Sequence, residues 1–204
     1  MSKEEAKGVF AIQGMNLIAD VTKGIQYLHE TRPLIEEAFS AVMKSGPTAS
    51  EPCQGIIVRL VDAKLHEDAI HRGPAQVIPA ARNAIYGAIA SSAPVLLEPM
   101  QKVFISTPQE LMGDASRELN QRRAEVKDMI TEGDSINIES KAPVSDMFGF
   151  ASSIRSATGG RVLWNTENLG FEPMPKHLQD DVVTQIRERK GLKPEPNPPS
   201  YYSE

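Results

Sequence analysis

Between Leu97 and Thr166 the apolar pattern changes period repeatedly, and its order admits few folds. Met100 to Ser106 alternates as a strand. Thr107-Pro108 opens a helical pattern running to about Ala124. Val126 to Thr131 and Ser135 to Ala142 alternate again, separated only by Glu132-Gly133-Asp134, and so pair as a hairpin. Ser145 to Thr158 returns to helical spacing and stops at Gly159-Gly160, and Arg161 to Thr166 reads as a last strand. The order strand, helix, strand, strand, helix, strand is that of the ferredoxin-like βαββαβ sandwich.

Upstream, Ser91-Ser92-Ala93-Pro94 marks a boundary. Before it, Gly8 to Ile12 and Asn16 to Val21 read as two short strands around a turn at Gln13-Gly14. Thr31 can cap a helix, with Pro33 in its first turn and Leu34, Ile35, Ala38, Phe39, Val42 and Met43 at helical spacing until Gly46-Pro47. Gly55 to Leu65 alternates as a half-buried strand, and Val77 to Ala90 reads as a second helix with Pro79 in or near its first turn. Beyond the sandwich, Lys176 to Lys190 is amphipathic, and 191–204 is Pro-rich and expected to lie extended or disordered. The expected architecture is α+β with two small domains, 1–94 and 95–190, followed by a tail over 191–204.

Charge and cysteine content narrow the function. Net charge is −5 over 204 residues, so a protein that coats nucleic acid with its whole surface is disfavoured, though a local RNA contact is not. No apolar run reaches the ~20 residues of a membrane span, and the charged start Ser2-Lys3-Glu4-Glu5 is not a secretory leader. The single Cys53 allows no internal disulfide and fits a reducing cytosol. With no histidine near it in sequence it reads as an ordinary thiol.

The densest chemistry lies in His66-Glu67-Asp68-Ala69-Ile70-His71-Arg72-Gly73-Pro74-Ala75-Gln76, between the strand and the second helix. It nearly spells the zinc-protease signature H-E-x-x-H, whose histidines stand four apart on one helical face. His66 and His71 are one residue too far apart, so on a helix they would diverge by about 140° at ~100° per residue. His29 and His177 lie in other elements, which leaves no evident third ligand. Glu67, Asp68 and the two histidines could instead form an acid–base cluster, as in a stand-alone hydrolase or metal-binding enzyme. Neither a G-x-S-x-G elbow nor a G-x-x-x-x-G-K-[ST] phosphate loop accompanies them. A third reading is a contact loop on a rigid strand–loop–helix scaffold, in which Arg72 pairs with phosphate or stacks on a base. A plain connecting turn stays open beside these.

Asp62 to Pro79 closely resembles the tip loop of archaeal and eukaryotic elongation factor 2. The resemblance continues through Thr22 to Glu30, Leu97-Glu98-Pro99, Phe148-Gly149-Phe150 and Arg155-Ser156-Ala157-Thr158-Gly159-Gly160. Gly73-Pro74-Ala75-Gln76 stands where eukaryotic members carry Gly-Gly-Gly-Gln, so the sequence looks archaeal. The resemblance implies that 1–94 is most of the fourth domain, a ribosomal-protein-like αβ unit with a projecting tip, and that 95–190 is the fifth. It implies that His71 is the histidine converted to diphthamide and ADP-ribosylated by diphtheria-type toxins. His66, Asp68, Ile70, Arg72, Gly73 and Gln76 would share the RNA-facing tip. The implied partners are the ribosome with its tRNA and mRNA at the decoding centre, the diphthamide biosynthesis enzymes and those toxins. The chain itself would be a cytoplasmic monomer without a membrane contact, metal or cofactor. GTP and Mg²⁺ would belong to a GTPase domain outside these residues, which makes the chain a C-terminal part of a translocation factor and not itself an enzyme.

Overall fold

In the computed structural model, which describes residues 1–203, the chain forms two units. The first contains Met1–Pro94 and the chain from Leu178 onward, and the second is Val95–His177. Among the described residues there are two sheets and six α-helices, an α+β composition as the apolar periods imply.

The first unit opens with α1 (Lys3–Lys7), a single turn held by a capping box. The Ser2 hydroxyl accepts the Glu5 N–H at 3.1 Å, and the Glu5 carboxylate accepts the Ser2 N–H at 2.7 Å. The same carboxylate pairs with Arg59 of the third strand at 2.7 Å, which fastens this turn to the sheet. β1 (Val9–Gln13) and β2 (Asn16–Asp20) form a hairpin, with Gly14 at φ +60° in a two-residue connection that needs left-handed backbone. β3 (Ile57–Leu60) lies parallel to β2, from Leu17 opposite Ile57 to Asp20 opposite Leu60, giving the order β1-β2-β3. Parallel neighbours require a crossover, and α2 (Leu28–Lys44) supplies it. α2 and α3 (Pro74–Ser91) pack through Phe39, Val42, Met43, Val77, Ile85 and Ile89 onto Ala11 and Ile18 of the sheet.

Several boundaries differ from the sequence expectations. α2 starts three residues before Thr31, which is wholly buried and donates its hydroxyl to the Leu28 carbonyl instead of capping. β3 ends at Leu60, not Leu65, because β2 turns away at Asp20, whose carboxylate accepts both the N–H and the hydroxyl of Thr22. α3 starts at Pro74, with Pro79 inside it, since Pro74 at the first helical position lacks only an N–H that has no helical partner.

The second unit has β4 (Leu97–Pro108), α4 (Met112–Asn120), β5 (Glu125–Glu132), β6 (Ser135–Pro143), α5 (Phe150–Ala157) and β7 (Leu163–Pro173). The sheet order is β5-β6-β4-β7 and every pairing is antiparallel, the arrangement expected of the βαββαβ sandwich. Val103, Ile105, Ile136 and Ile138 face Leu119, Phe150 and Ile154 of the helices. β4 and β7 outrun their expected lengths because they pair with each other from Leu97 opposite Pro173 to Ser106 opposite Leu163. α5 starts at Phe150 and not at Ser145, since Gly149 stands at φ +81° and interrupts the helical path.

α6 (Lys176–Arg189) passes into the first unit at Leu178, and the residues after it fall there too, whereas the sequence expectation is one domain over 95–190 and an extended or disordered tail over 191–204. Arg187, only 7 % exposed, donates to the carbonyls of Lys193 at 2.6 Å and Thr48 at 2.9 Å. Lys190 pairs with Glu51 at 2.7 Å. A short 3₁₀ turn, Pro199–Tyr202, brings the Tyr202 ring to 5.4 Å from Tyr86 of α3. Aromatic packing of Tyr202 on Tyr86 and the carbonyls that accept from Arg187 and Lys190 hold this segment in place.

One ion network organises the second unit. Glu98, 5 % exposed, takes two hydrogen bonds from Arg123 at 3.0 and 2.8 Å, and Arg123 reaches Asp146 at 2.6 Å. Arg123 sits at φ +52°, a backbone cost that the two carboxylates offset. Its hydrogen bonds hold the Asp146 carboxyl below the ordinary aspartate value of 3.8. That contribution is present above the ordinary value and is lost as pH falls through the depressed one. Asp146→Asn is therefore expected to flatten the acid limb of the second unit's stability curve, read by urea titrations across pH 2 to 6. Arg123→Ala leaves the buried Glu98 carboxylate unpaired and is expected to cost about 3 kcal/mol at neutral pH in the same titration. Arg187→Ala should speed hydrogen exchange at Phe39 and Val42 in the first unit while leaving Val103 and Ile138 in the second unchanged.

Candidate functional site

Once β3 has left the ladder at Leu60, the chain must satisfy its backbone groups by other means before α3 begins. Three side chains do this. The Asp68 carboxylate caps a 3₁₀ turn, Ala69–Arg72, by accepting the Ile70 N–H at 3.0 Å, and the Asp68 carbonyl accepts the His71 N–H at 3.1 Å. His66 accepts the Asp68 N–H on Nδ1 at 3.0 Å, which places the proton of a neutral ring on Nε2. Arg72 donates through Nη1 to the carbonyls of His66 and Glu67 at 2.7 and 2.6 Å. Gly73 then runs extended into Pro74, and a Cβ there would stand 3.3 Å from Oε1 of Gln76.

The result is a short loop whose reactive side chains face solvent. His66, Glu67, Asp68, His71 and Gln76 are exposed, and Ile70 is 77 % exposed. Turning the chain within five residues brings the rings of His66 and His71 to 4.6 Å at 65°, an edge-to-face contact that a helix would forbid at this spacing.

Arg72 departs from its expected role. Its side chain is 7 % exposed, its Nη2 pairs with Glu30 at 2.7 Å, and its guanidinium lies 3.9 Å from the centre of the Tyr27 ring. It is turned into the protein, toward carbonyls that the tight loop directs inward, and not outward to phosphate. Its Nε is buried with no hydrogen-bond partner. Tyr27 and Glu30, more than forty positions upstream of Arg72, are therefore part of the site although residue spacing assigned them nothing. Tyr27 stands at φ +63°, a left-handed conformation uncommon for a bulky residue and accompanied here by the contact of its ring with Arg72.

The chemistry available here is that of contact. Asp68 is engaged with its own turn and Glu30 with Arg72. Among the described residues no three histidine, cysteine, aspartate or glutamate side chains gather to hold a metal ion. Cys53 lies half-buried, its Sγ 2.7 Å from where a Cβ on Gly46 would be, and burial pushes its thiol above the ordinary value, which disfavours the nucleophilic thiolate. An open groove of about 400 Å³ on the second sheet holds Asp128 and Glu139 beside Phe104, Ile130 and Trp164, with no histidine among its lining residues.

Comparison with known proteins bears on both units. Residues 1–93 match the family model described as elongation factor G, domain IV, and residues 95–182 match that of the elongation factor G C-terminus. The boundary between the matches falls at Pro94, where the two units meet in sequence. Elongation factor 2 of Thermoplasma volcanium is 58 % identical over 203 residues, covering 100 % of this chain and 28 % of that protein. Elongation factor 2 of Picrophilus torridus gives the same identity and coverage. That of Methanosphaera stadtmanae is 54 % identical over 99 % of the chain and 28 % of its own length. The chain thus spans little more than a quarter of the curated relatives it matches, within which it carries the loop of His66 to Gln76 on the domain IV match. With both structural units matched in order and the whole chain aligned to such relatives, this chain belongs to the elongation factor G and elongation factor 2 family of translation elongation factors.

Proposed function

We propose that this chain is the RNA-facing C-terminal part of a GTP-dependent elongation factor that promotes movement of tRNA and mRNA through the ribosome. The loop from His66 to Gln76 enters the decoding centre, and His71 is the residue converted to diphthamide and ADP-ribosylated by toxins of the diphtheria type. The observation that carries the reading is the presentation of His71. Its side chain is exposed, its backbone N–H is tied to Asp68, and its ring is braced by His66. A modifying enzyme can reach such a side chain, and a ribosomal partner meets it in a defined orientation.

Recognition would be of RNA backbone and shape more than of base sequence. His66, Asp68, Ile70, Gly73 and Gln76 flank His71 on the exposed loop, whereas Arg72 takes no part in the outer surface. The net charge of −5 keeps the rest of the chain from adhering to RNA and confines contact to the loop. A modified His71 adds a fixed cation there, independent of pH. GTP and Mg²⁺ belong to the remaining three quarters of the relatives' length, and the parent acts in the cytoplasm. No helix of the described residues is long and apolar enough to cross a membrane.

Peptide mass mapping tests the assignment. Trypsin releases Leu65 to Arg72, holding both histidines of the loop, and fragmentation separates them. Protein purified from cells that possess the modifying enzymes is expected to carry a diphthamide-sized addition on His71 and none on His66, and an unmodified peptide from such cells would refute the site. His71→Ala is expected to change unfolding free energy by less than about 0.5 kcal/mol, the usual range for an exposed side chain. In a full-length elongation factor the same change should slow translocation while GTP hydrolysis stays at its native rate.

A further inference from the structure

Arg72 is the one charged residue of the loop that the structure withdraws from solvent, and its surroundings are assembled from two separate segments. One is the stretch Tyr27 to Glu30 at the start of α2, and the other is the loop from His66 to Arg72. The guanidinium joins them with four contacts: two carbonyls of the loop, the Glu30 carboxylate and the face of the Tyr27 ring. Glu30 offsets the charge, Tyr27 covers one face, and the Nε–H is buried without a hydrogen-bond partner. A phosphate could reach this group only by breaking the set.

We infer that Arg72 is a positioning residue: it clamps the His66–Arg72 loop to the Tyr27–Glu30 segment and thereby holds His71 in a single orientation. The lever arm is short. Arg72 is the neighbour of His71 in the chain and grips the carbonyl of His66, whose ring braces His71 from the side. The chain leading into the 3₁₀ turn, at His66 and Glu67, and the last residue of the turn are thus tied to Glu30 of α2, an element of the buried core, through one side chain. The left-handed backbone of Tyr27 fits the same scheme, because it is what lays the ring over the guanidinium. Lysine cannot replace Arg72 here. An ammonium group lacks the planar fork that reaches two carbonyls and a carboxylate while lying flat on a ring.

The inference deepens the reading of the loop as an RNA-facing tip, but its test needs no ribosome, so the two can fail separately. Backbone ¹⁵N relaxation on the free chain reports the order of residues 67–71 against that of Phe39 and Val42 in the core. The native loop should show order parameters near the rigid value of about 0.85. Arg72→Lys, Arg72→Ala and Tyr27→Leu should lower them below about 0.6 while the core values stay unchanged. Tyr27→Phe, which keeps the ring, should leave the loop as ordered as in the native chain. Native order at 67–71 in both Arg72 variants would overturn the clamp, as would equal loosening by Tyr27→Phe and Tyr27→Leu. Should Arg72→Ala fail to fold, Tyr27→Leu and Glu30→Ala, which leave Arg72 in place, decide the matter: native order in both overturns it.

Discussion

The parallel pairing of β2 with β3 is the constraint from which the first unit follows. Antiparallel strands can be joined by a two-residue turn, as β1 and β2 are, but parallel neighbours need a crossover long enough to return the chain to the same end of the sheet. α2 is that crossover, and its apolar face of Ile35, Phe39, Val42 and Met43 makes the return profitable by burying against the sheet and α3. The pairing also sets where the loop leaves. β2 ends at Asp20, so β3 can go no further than Leu60, and whatever follows must find hydrogen-bond partners off the sheet.

The exposed loop is the answer to that shortage. Asp68 supplies an acceptor for the turn, His66 an acceptor for Asp68, and Arg72 donors for two carbonyls, so the polar residues that suggest catalysis in the sequence are largely occupied with the backbone. A loop satisfied in this way costs less to order on binding than one hydrated at random, because its internal partners are already in place. It leaves His71 and Ile70 free to act outward. The second unit uses a different device for the same end: one buried carboxylate, Glu98, with Arg123 and Asp146, ties the start of β4 to the segments before β5 and α5.

How far these features can be read from the chain varies with the range of the interaction behind them. Hairpins and amphipathic helices depend on residues a few positions apart, so β5 and β6 and the apolar face of α2 are legible in the spacing. The capping box Ser2-Lys3-Glu4-Glu5 is equally local and stands in the sequence as a helix start, though a five-residue helix has too little apolar pattern to announce itself. Element ends were less legible. Thr31 looks like a cap because caps are recognised by residue type, yet the buried hydroxyl bonds within the helix instead. The return of α6 to the first unit rests on Arg187 and Lys190 meeting the Thr48 to Glu51 segment, some 140 positions away, which no periodicity encodes.

The candidate site divides along the same line. Residue types and order by themselves determined that 66–76 is a polar connection between a strand and a helix, and that the spacing of His66 and His71 is wrong for a helical metal site; that the helix begins at Pro74 and not at Val77 came from the structure. Only the tertiary structure decided that the two rings meet, that Arg72 faces inward, and that Tyr27 and Glu30 complete its surroundings. The physical reason is that an arginine's direction is set by which unpaired acceptors and aromatic faces the fold brings within reach. Local sequence controls backbone conformation through sterics and short hydrogen bonds and supplies the carbonyls of His66 and Glu67, whereas the Glu30 carboxylate and the Tyr27 ring arrive from a segment more than forty residues away, once the core of α2 and α3 has closed.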